Sequence, residues 1–154
     1  MTTRIKPAPG PLAALEELAA ATDGTACAAI EVEAHAEAVP QARRYTRSTL
    51  ARWGLDKAAD DIELIACELI TNAITASAAL PFRANVGLLL AACPGRLVVM
   101  VSDASRAQPV RRRDGGEGVT GRGLGIVEAL TTAWGWVPEA HGKVVWAMLD
   151  LGDQ

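Results

Sequence analysis

The chain has 154 residues, half of them hydrophobic and 21% charged, with a net charge of −3. That length suits one domain with a sizeable core, and the slightly acidic balance argues against the basic face of a nucleic-acid binder, so no direct nucleic-acid contact is expected. Three cysteines with no Cys-x-x-Cys or Cys/His ligand spacing, and two histidines, His35 and His141, with no triad-like setting, argue against a disulfide framework and a zinc site and fit reduced thiols in the cytoplasm.

Met1 to Pro11 carries Arg4 and Lys6 with no apolar segment behind them, so no signal peptide is expected. No run of about 18 apolar residues offers a membrane span. Residues 1–25 read as an extension, with a short Ala/Leu/Glu helix over Pro11 to Ala21 ended by Asp23-Gly24, and residues 26–154 as the domain. Ala26 to Ala34 alternates, with Ile30 and Val32 against Glu31 and Glu33, as a half-buried strand does. A helix follows to Trp53, with Pro40 in its first turn, an apolar side of Val39, Ala42, Tyr45, Thr46, Leu50 and Trp53, and Gly54 as its stop. A second helix runs from Ala58 or Ala59 to about Ala78. Asn85 to Ala92 and Arg96 to Val101, joined by Cys93-Pro94-Gly95, read as a hairpin. Residues 104–122 form a polar, glycine-rich loop, Gly123 to Ala133 a third helix, and Trp134 to Val137 with Lys143 to Leu151 a closing hairpin. Strands joined by short turns favour an antiparallel sheet, with helices as the second layer: an α/β two-layer sandwich.

Three constellations can carry chemistry. Glu68 and Asn72 stand i, i+4 in a run of Ile, Leu and Ala, which puts them on one helix face. Asn72 can offer a carbonyl oxygen to Mg²⁺, a cation that binds through one or two protein oxygens plus substrate phosphates. Glu68 can polarise a water or hydroxyl near a γ-phosphate. The plainer reading is a solvated pair. Asp103 ends an apolar strand, where its carboxylate can accept from an exocyclic amine such as that of adenine or simply start a turn. Gly121-Arg122-Gly123-Leu124-Gly125 precedes the third helix; its backbone can approach phosphate closely, and Arg122 can add a charge-assisted contact. Otherwise it is a linker. Gly115, Gly116 and Gly118 would let the loop close as a lid, and Arg111 to Arg113 can neutralise phosphate or meet an acidic partner. Trp134, Trp136 and Trp146 read as core or sheet-face residues. A Rossmann fingerprint and a Walker A loop both fail: the glycine cluster does not directly follow a strand, and Gly142-Lys143-Val144 lacks the hydroxyl residue.

The ordered set resembles the GHKL ATPases, the fold of histidine kinases and DNA gyrase, and most of all the single-domain actinobacterial proteins akin to anti-sigma-factor serine kinases. Glu68-Leu69-Ile70-Thr71-Asn72-Ala73 looks like the N-box, Asp103 with Pro109 like the first glycine box, Gly121 to Val127 like the second, and Gly142 to Ala147 like the closing strand motif. Ala42-Arg43-Arg44 through Trp53-Gly54-Leu55 also has the family's look, and the resemblance spans about residues 26–151. It implies a Bergerat fold, a mostly antiparallel mixed sheet covered on one face by helices. It implies ATP and Mg²⁺ as cofactors, Asn72 as metal ligand, Glu68 as general base and Asp103 as adenine reader. Pro109, Gly121, Arg122, Gly123 and Leu124 would complete the nucleotide site, and residues 105–122 the lid. It implies serine/threonine kinase activity toward an anti-anti-sigma (STAS-type) partner or control of a sigma factor, with a homodimer suggested by relatives. A non-catalytic ATP-dependent protein-binding switch is the alternative. A trans-acting fragment of a histidine kinase ranks below both. Thr75 and Ala76 replace a His or Arg common after the N-box, Ser105 and Ala107 replace glycines, and Val144 replaces a hydroxyl residue able to touch nucleotide.

Overall fold

The computed structural model describes residues 26–109 and 119–152, and for 119–123 the backbone alone. The expected helix over Pro11 to Ala21, the whole extension 1–25, Arg111 to Arg113 and the glycines at 115, 116 and 118 lie outside the described residues. In chain order come strand β1 (Ala26–Glu33), helix α1 (Ala38–Arg52), a 3₁₀ turn (Asp56–Ala58), helix α2 (Ala59–Ser77), strands β2 (Asn85–Cys93) and β3 (Arg96–Asp103), helix α3 (Val119–Leu130), and strands β4 (Ala133–Glu139) and β5 (Gly142–Asp150).

The strands form one sheet in the order β1-β2-β3-β5-β4, and every neighbouring pair is antiparallel. The expected two-layer α/β architecture is therefore present, with a wholly antiparallel sheet among the described strands. The chain passes from β3 through α3 to the far edge, lays down β4, and returns as β5 into the slot beside β3. Pro138 sits in β4, an edge strand, where a missing ladder N–H is tolerated. Gly95, at φ +74°, makes the β2–β3 turn.

Alternation divides the sheet into two faces. Val86, Leu88 and Leu90 of β2, Leu97, Val99 and Val101 of β3, and Val145, Ala147 and Leu149 of β5 join one core with the helices. Leu89, Ala91, Met100 and Val144 form a second cluster on the opposite face. The central helix is α2, which contacts α1, α3, β2 and β3. It buries Ile62, Ile65, Ala66, Leu69, Ile70 and Ala73, and each fully buried Ile or Leu contributes about 1.5–3 kcal/mol. The apolar side of α1 lies as expected, with Ala42, Thr46 and Leu50 sealed, and the Tyr45 hydroxyl donates to the Ala29 carbonyl at 3.0 Å. Trp134 and Trp136 pack on the main core. Trp146 packs on the other face, where its ring lies 2.9 Å from the position a Cβ on Gly135 would take.

The third helix differs from expectation at both ends. It starts at Val119, four residues before the expected Gly123, so Gly121 too lies within it. Each interior glycine costs about 1 kcal/mol against alanine, which is why the pattern alone starts the helix no earlier than the second of them; burial of Leu124 and Val127 in the core carries the helix through. It ends at Leu130 because Thr132, just before β4, is already tied to β5, its N–H donating to the Met148 carbonyl at 2.9 Å.

Candidate functional site

One cavity of about 190 Å³ opens between α2 and the sheet. Its helix wall is Asn72, Ala73, Thr75 and Ala76; its floor is Asp103, Lys143 and Val145; Ala107, Gln108 and Pro109 form its rim. Three residues singled out in the sequence thus meet there: Asn72, Asp103 and Pro109.

Asn72 stands apart from the polar residues around it on α2. Thr71, Thr75 and Ser77 each donate to the carbonyl four residues back, at 2.7, 3.0 and 2.7 Å, and are satisfied within the helix. The Asn72 Nδ2 is buried with no partner among the described residues. A buried amide with an unmade hydrogen bond calls for a ligand or water. The amide also has the carbonyl oxygen a hard cation takes, and Mg²⁺ needs only one or two protein oxygens when phosphates supply others. Among the described residues no three or more His, Cys, Asp or Glu cluster around a metal position. The unmade bond is a donor's and asks for an acceptor such as a phosphate oxygen or water, while the carbonyl oxygen beside it, with nucleotide oxygens for the rest, is a donor set that fits Mg²⁺.

Asp103 is the last residue of β3. Its Oδ1 accepts from the Ser105 N–H at 2.8 Å, closing a tight turn, and from the Lys143 ammonium at 3.0 Å. Their side chains are 1% and 4% exposed, so this is a buried ion pair. Burial pushes the Asp103 carboxyl above its ordinary value, and the Lys143 ammonium and the Ser105 N–H pull it only part of the way back. The pairing is set by the sheet, because Asp103 and Lys143 are register partners across β3 and β5. Gly142 permits the approach: a Cβ there would fall 1.9 Å from the Asp103 carbonyl oxygen.

Lys143 has no role predicted from sequence, yet it forms part of the cavity floor. A signal was present, since Lys143 stands two residues before Val145 on the alternation that Val145, Ala147 and Leu149 follow into the core. A charged residue in that phase needs a partner. The same alternation corrects the expectation for Val144, which faces the opposite cluster with Leu89, Ala91 and Met100 and not the cavity.

The remaining candidates lie elsewhere. Glu68, one turn before Asn72, does not line the cavity. It borders an adjoining groove with Arg43, Arg47, Asp60, Glu63, Cys67 and Thr71. Burial raises the Glu68 carboxyl above its ordinary value, and raises the Cys67 thiol against the pull of Arg43. Arg47 pairs with Glu63 and with Asp60, and Arg43 with Glu63 at 3.3 Å, which ties α1 to α2. Leu124 is 1% exposed within the main core, so its side chain is closed to nucleotide. Gly121, Arg122 and Gly123 fall in the first turns of α3, and their side chains lie outside the described residues. No described helix is long and apolar enough to cross a membrane.

Comparison with known proteins agrees with the ordered motifs. Residues 32–149 match the family model of the histidine kinase-like ATPase domain. No curated protein matches the chain. Among solved structures it is similar to the histidine kinase domain of the blue-light activated histidine kinase from Erythrobacter litoralis EL346, at 23% identity and a TM-score of 0.44, over 61% of this chain and 45% of that one. The chain spans less than half the length of that domain. With the family model covering most of its length, the chain belongs to the histidine kinase-like ATPase domains, and ATP is the ligand that such a domain binds.

Proposed function

We propose that the chain is an Mg-ATP-dependent serine kinase that controls a sigma factor by phosphorylating an anti-anti-sigma partner of STAS type. The observation that carries the ATP site is the juxtaposition of the Asn72 amide, whose Nδ2 has no partner among the described residues, and the buried Asp103 carboxylate on two walls of one cavity. In this reading Asp103 accepts from the adenine amino group, Pro109 and Val145 wall the base, and Asn72 holds Mg²⁺. The α3 N-terminus, at Val119 to Arg122, presents N–H groups to phosphate. Mg²⁺ supplies neutralisation of the charge that spreads over the γ-phosphoryl oxygens. Glu68 orients the partner's serine and takes its proton; the seryl oxygen forms the new bond to phosphorus as the bond to the β,γ-bridging oxygen breaks and ADP leaves. Its raised carboxyl suits that task, because a base works best with a pKa near the working pH. Glu68 borders a groove that is open to a protein partner, which fits a macromolecular acceptor.

The same placement of Glu68 outside the cavity favours one second reading, a non-catalytic switch in which ATP presents a partner-binding surface. Transfer of γ-phosphate label to a STAS-type partner separates the two. The kinase reading expects a labelled serine with wild type and none with Glu68→Gln; no label with either leaves the switch, which expects Glu68→Gln to keep nucleotide and partner binding. Both readings expect Asp103→Ala and Asn72→Ala to weaken Mg-ATP binding at least tenfold, about 1.4 kcal/mol. Unchanged calorimetric affinity in both variants rejects the site.

A further inference from the structure

We infer that Lys143 is a base-reading residue, whose ammonium donates to the N1 ring nitrogen of adenine beside the Asp103 carboxylate that accepts from the neighbouring amino group. The inference rests on the ATP-site reading above and goes beyond it by assigning Lys143.

The argument is one of donors and acceptors. A lysine ammonium has three N–H donors. Lys143 spends one on Asp103 Oδ1 at 3.0 Å and aims a second at the Ser105 carbonyl at 3.4 Å, and the third has no partner among the described residues. Asp103 uses Oδ1 for both of its bonds, which leaves Oδ2 without a partner among the described residues. Both side chains are all but sealed from solvent, and both line the cavity floor. The floor therefore offers one donor and one acceptor side by side, held by strand register and by the close approach at Gly142.

A buried charge pair is a weak stability device, since apolar residues of like volume often do as well. A pair with one unused donor and one unused acceptor facing a cavity has a further use. It complements a ligand edge that carries an acceptor next to a donor. The Watson–Crick edge of adenine is such an edge, with N1 flanked by the amino group, and enzymes commonly read bases along it. The six-carbon edge of guanine presents the opposite order, a carbonyl acceptor flanked by the N1–H donor. Lys143 would thus fix the orientation of the base and select adenine together with Asp103.

Titration calorimetry with Mg²⁺ tests this on the whole chain, using ATP, an analogue with C–H in place of N1, and an analogue with C–H in place of N7. Wild type should bind the N1 analogue at least tenfold more weakly than ATP and the N7 analogue within about twofold. In Lys143→Met the preference for N1 should collapse to near unity. Equal binding of ATP and the N1 analogue by wild type overturns the inference with no variant needed. A preference that survives in Lys143→Met also overturns it, because the N1 contact then belongs to another donor. If Lys143→Met does not fold, wild type with ATP labelled with nitrogen-15 at N1 decides. A donated ammonium hydrogen moves that resonance upfield of the free nucleotide's, and an unmoved resonance overturns the inference. No ATP binding by wild type is a different result: it rejects the ATP-site reading, and this one with it.

Discussion

The two sides of α2 solve the problem of placing charge in opposite ways. On the cavity side, Asp103 and Lys143 are sealed, their backbones locked by register and by the glycine at 142. On the groove side, Arg43, Arg47, Asp60 and Glu63 make a ring of mostly exposed charges on two helices. A sealed pair interacts strongly, cannot reorganise, and penalises any unmatched neighbour. An exposed ring is screened, redundant and adaptable. The first suits reading a small rigid ligand, the second meeting a protein surface. Perturbing each side should therefore give effects of different size and different salt and pH dependence.

The largest expected effect is that of Lys143→Met, which leaves the Asp103 carboxylate buried without its cation. Breaking one partner of a buried pair costs about 3–5 kcal/mol, to be read as a fall in the urea midpoint at pH 7. The sign with pH follows from Asp103, whose folded value is already above its ordinary one of about 3.9. A group raised in the fold gives full stability below its unfolded pKa and loses it as pH rises through the folded one. The deficit should thus be small in acid and grow toward neutrality. The double variant Lys143→Met with Asp103→Leu should recover most of the stability and none of the ATP binding. A flat pH profile, or no recovery, would mean that Asp103 and Lys143 do not act as one buried unit.

Next in size is Gly142→Ala. A Cβ 1.9 Å from a backbone carbonyl oxygen has no flexible side chain to push aside, so β3 or β5 must shift. Overpacking of this kind costs about 1–3 kcal/mol, and it should loosen Asp103 and Lys143 together. Thermal denaturation beside ATP titration checks it. Full stability with lost binding would show that the strands can give way locally.

How much of this is legible in the sequence depends on range. Element order, the strand alternation and the inward side of α1 follow local periods, and all appear in the structure as read. Asn72 announced itself as an amide in apolar company, and Asp103 by ending a strand. What stayed hidden was pairing at a distance. Lys143 lies 40 positions from Asp103, and nothing in either segment names the other until β5 is placed beside β3. The slot is decided by where α3 leaves the chain, a tertiary matter. The start of α3 was obscured by glycines whose helical cost is met by burial of Leu124 and Val127 elsewhere. The i, i+4 spacing of Glu68 and Asn72 gave one face, but a face is broad: the offset between them is enough to send one to the groove and the other to the cavity.

A smaller effect belongs to Glu68, on the boundary between the two sides. Burial alone raises its carboxyl, so the fold disfavours the anion. Glu68→Gln should be slightly more stable than wild type at pH 7, by less than about 1 kcal/mol for a half-buried group. The gain should vanish below the unfolded carboxylate value of about 4.3, where the wild-type side chain is protonated as well. Melting temperatures across pH measure this directly. A wild type more stable than the variant at neutral pH would mean that a cation holds the Glu68 anion, and the case for a base raised by burial would go.

The smallest effect is expected from Arg47→Ala, and its smallness sharpens the contrast. Arg47 is more than half exposed and pairs with both Asp60 and Glu63. Asp60 is 93% exposed and water replaces the arginine there. Glu63 is better covered, but Arg43 remains at 3.3 Å, so removing Arg47 orphans nothing. The loss should sit at the limit of what thermal denaturation resolves, and vanish in 1 M salt, where the screening length falls to about 3 Å. Removing Arg43 as well takes from Glu63 the last cation it pairs with among the described residues, so the double variant should lose more than the two single losses combined. Strict additivity would show that Glu63 is already satisfied by water, and that the groove carries its charges for a partner and not for the fold.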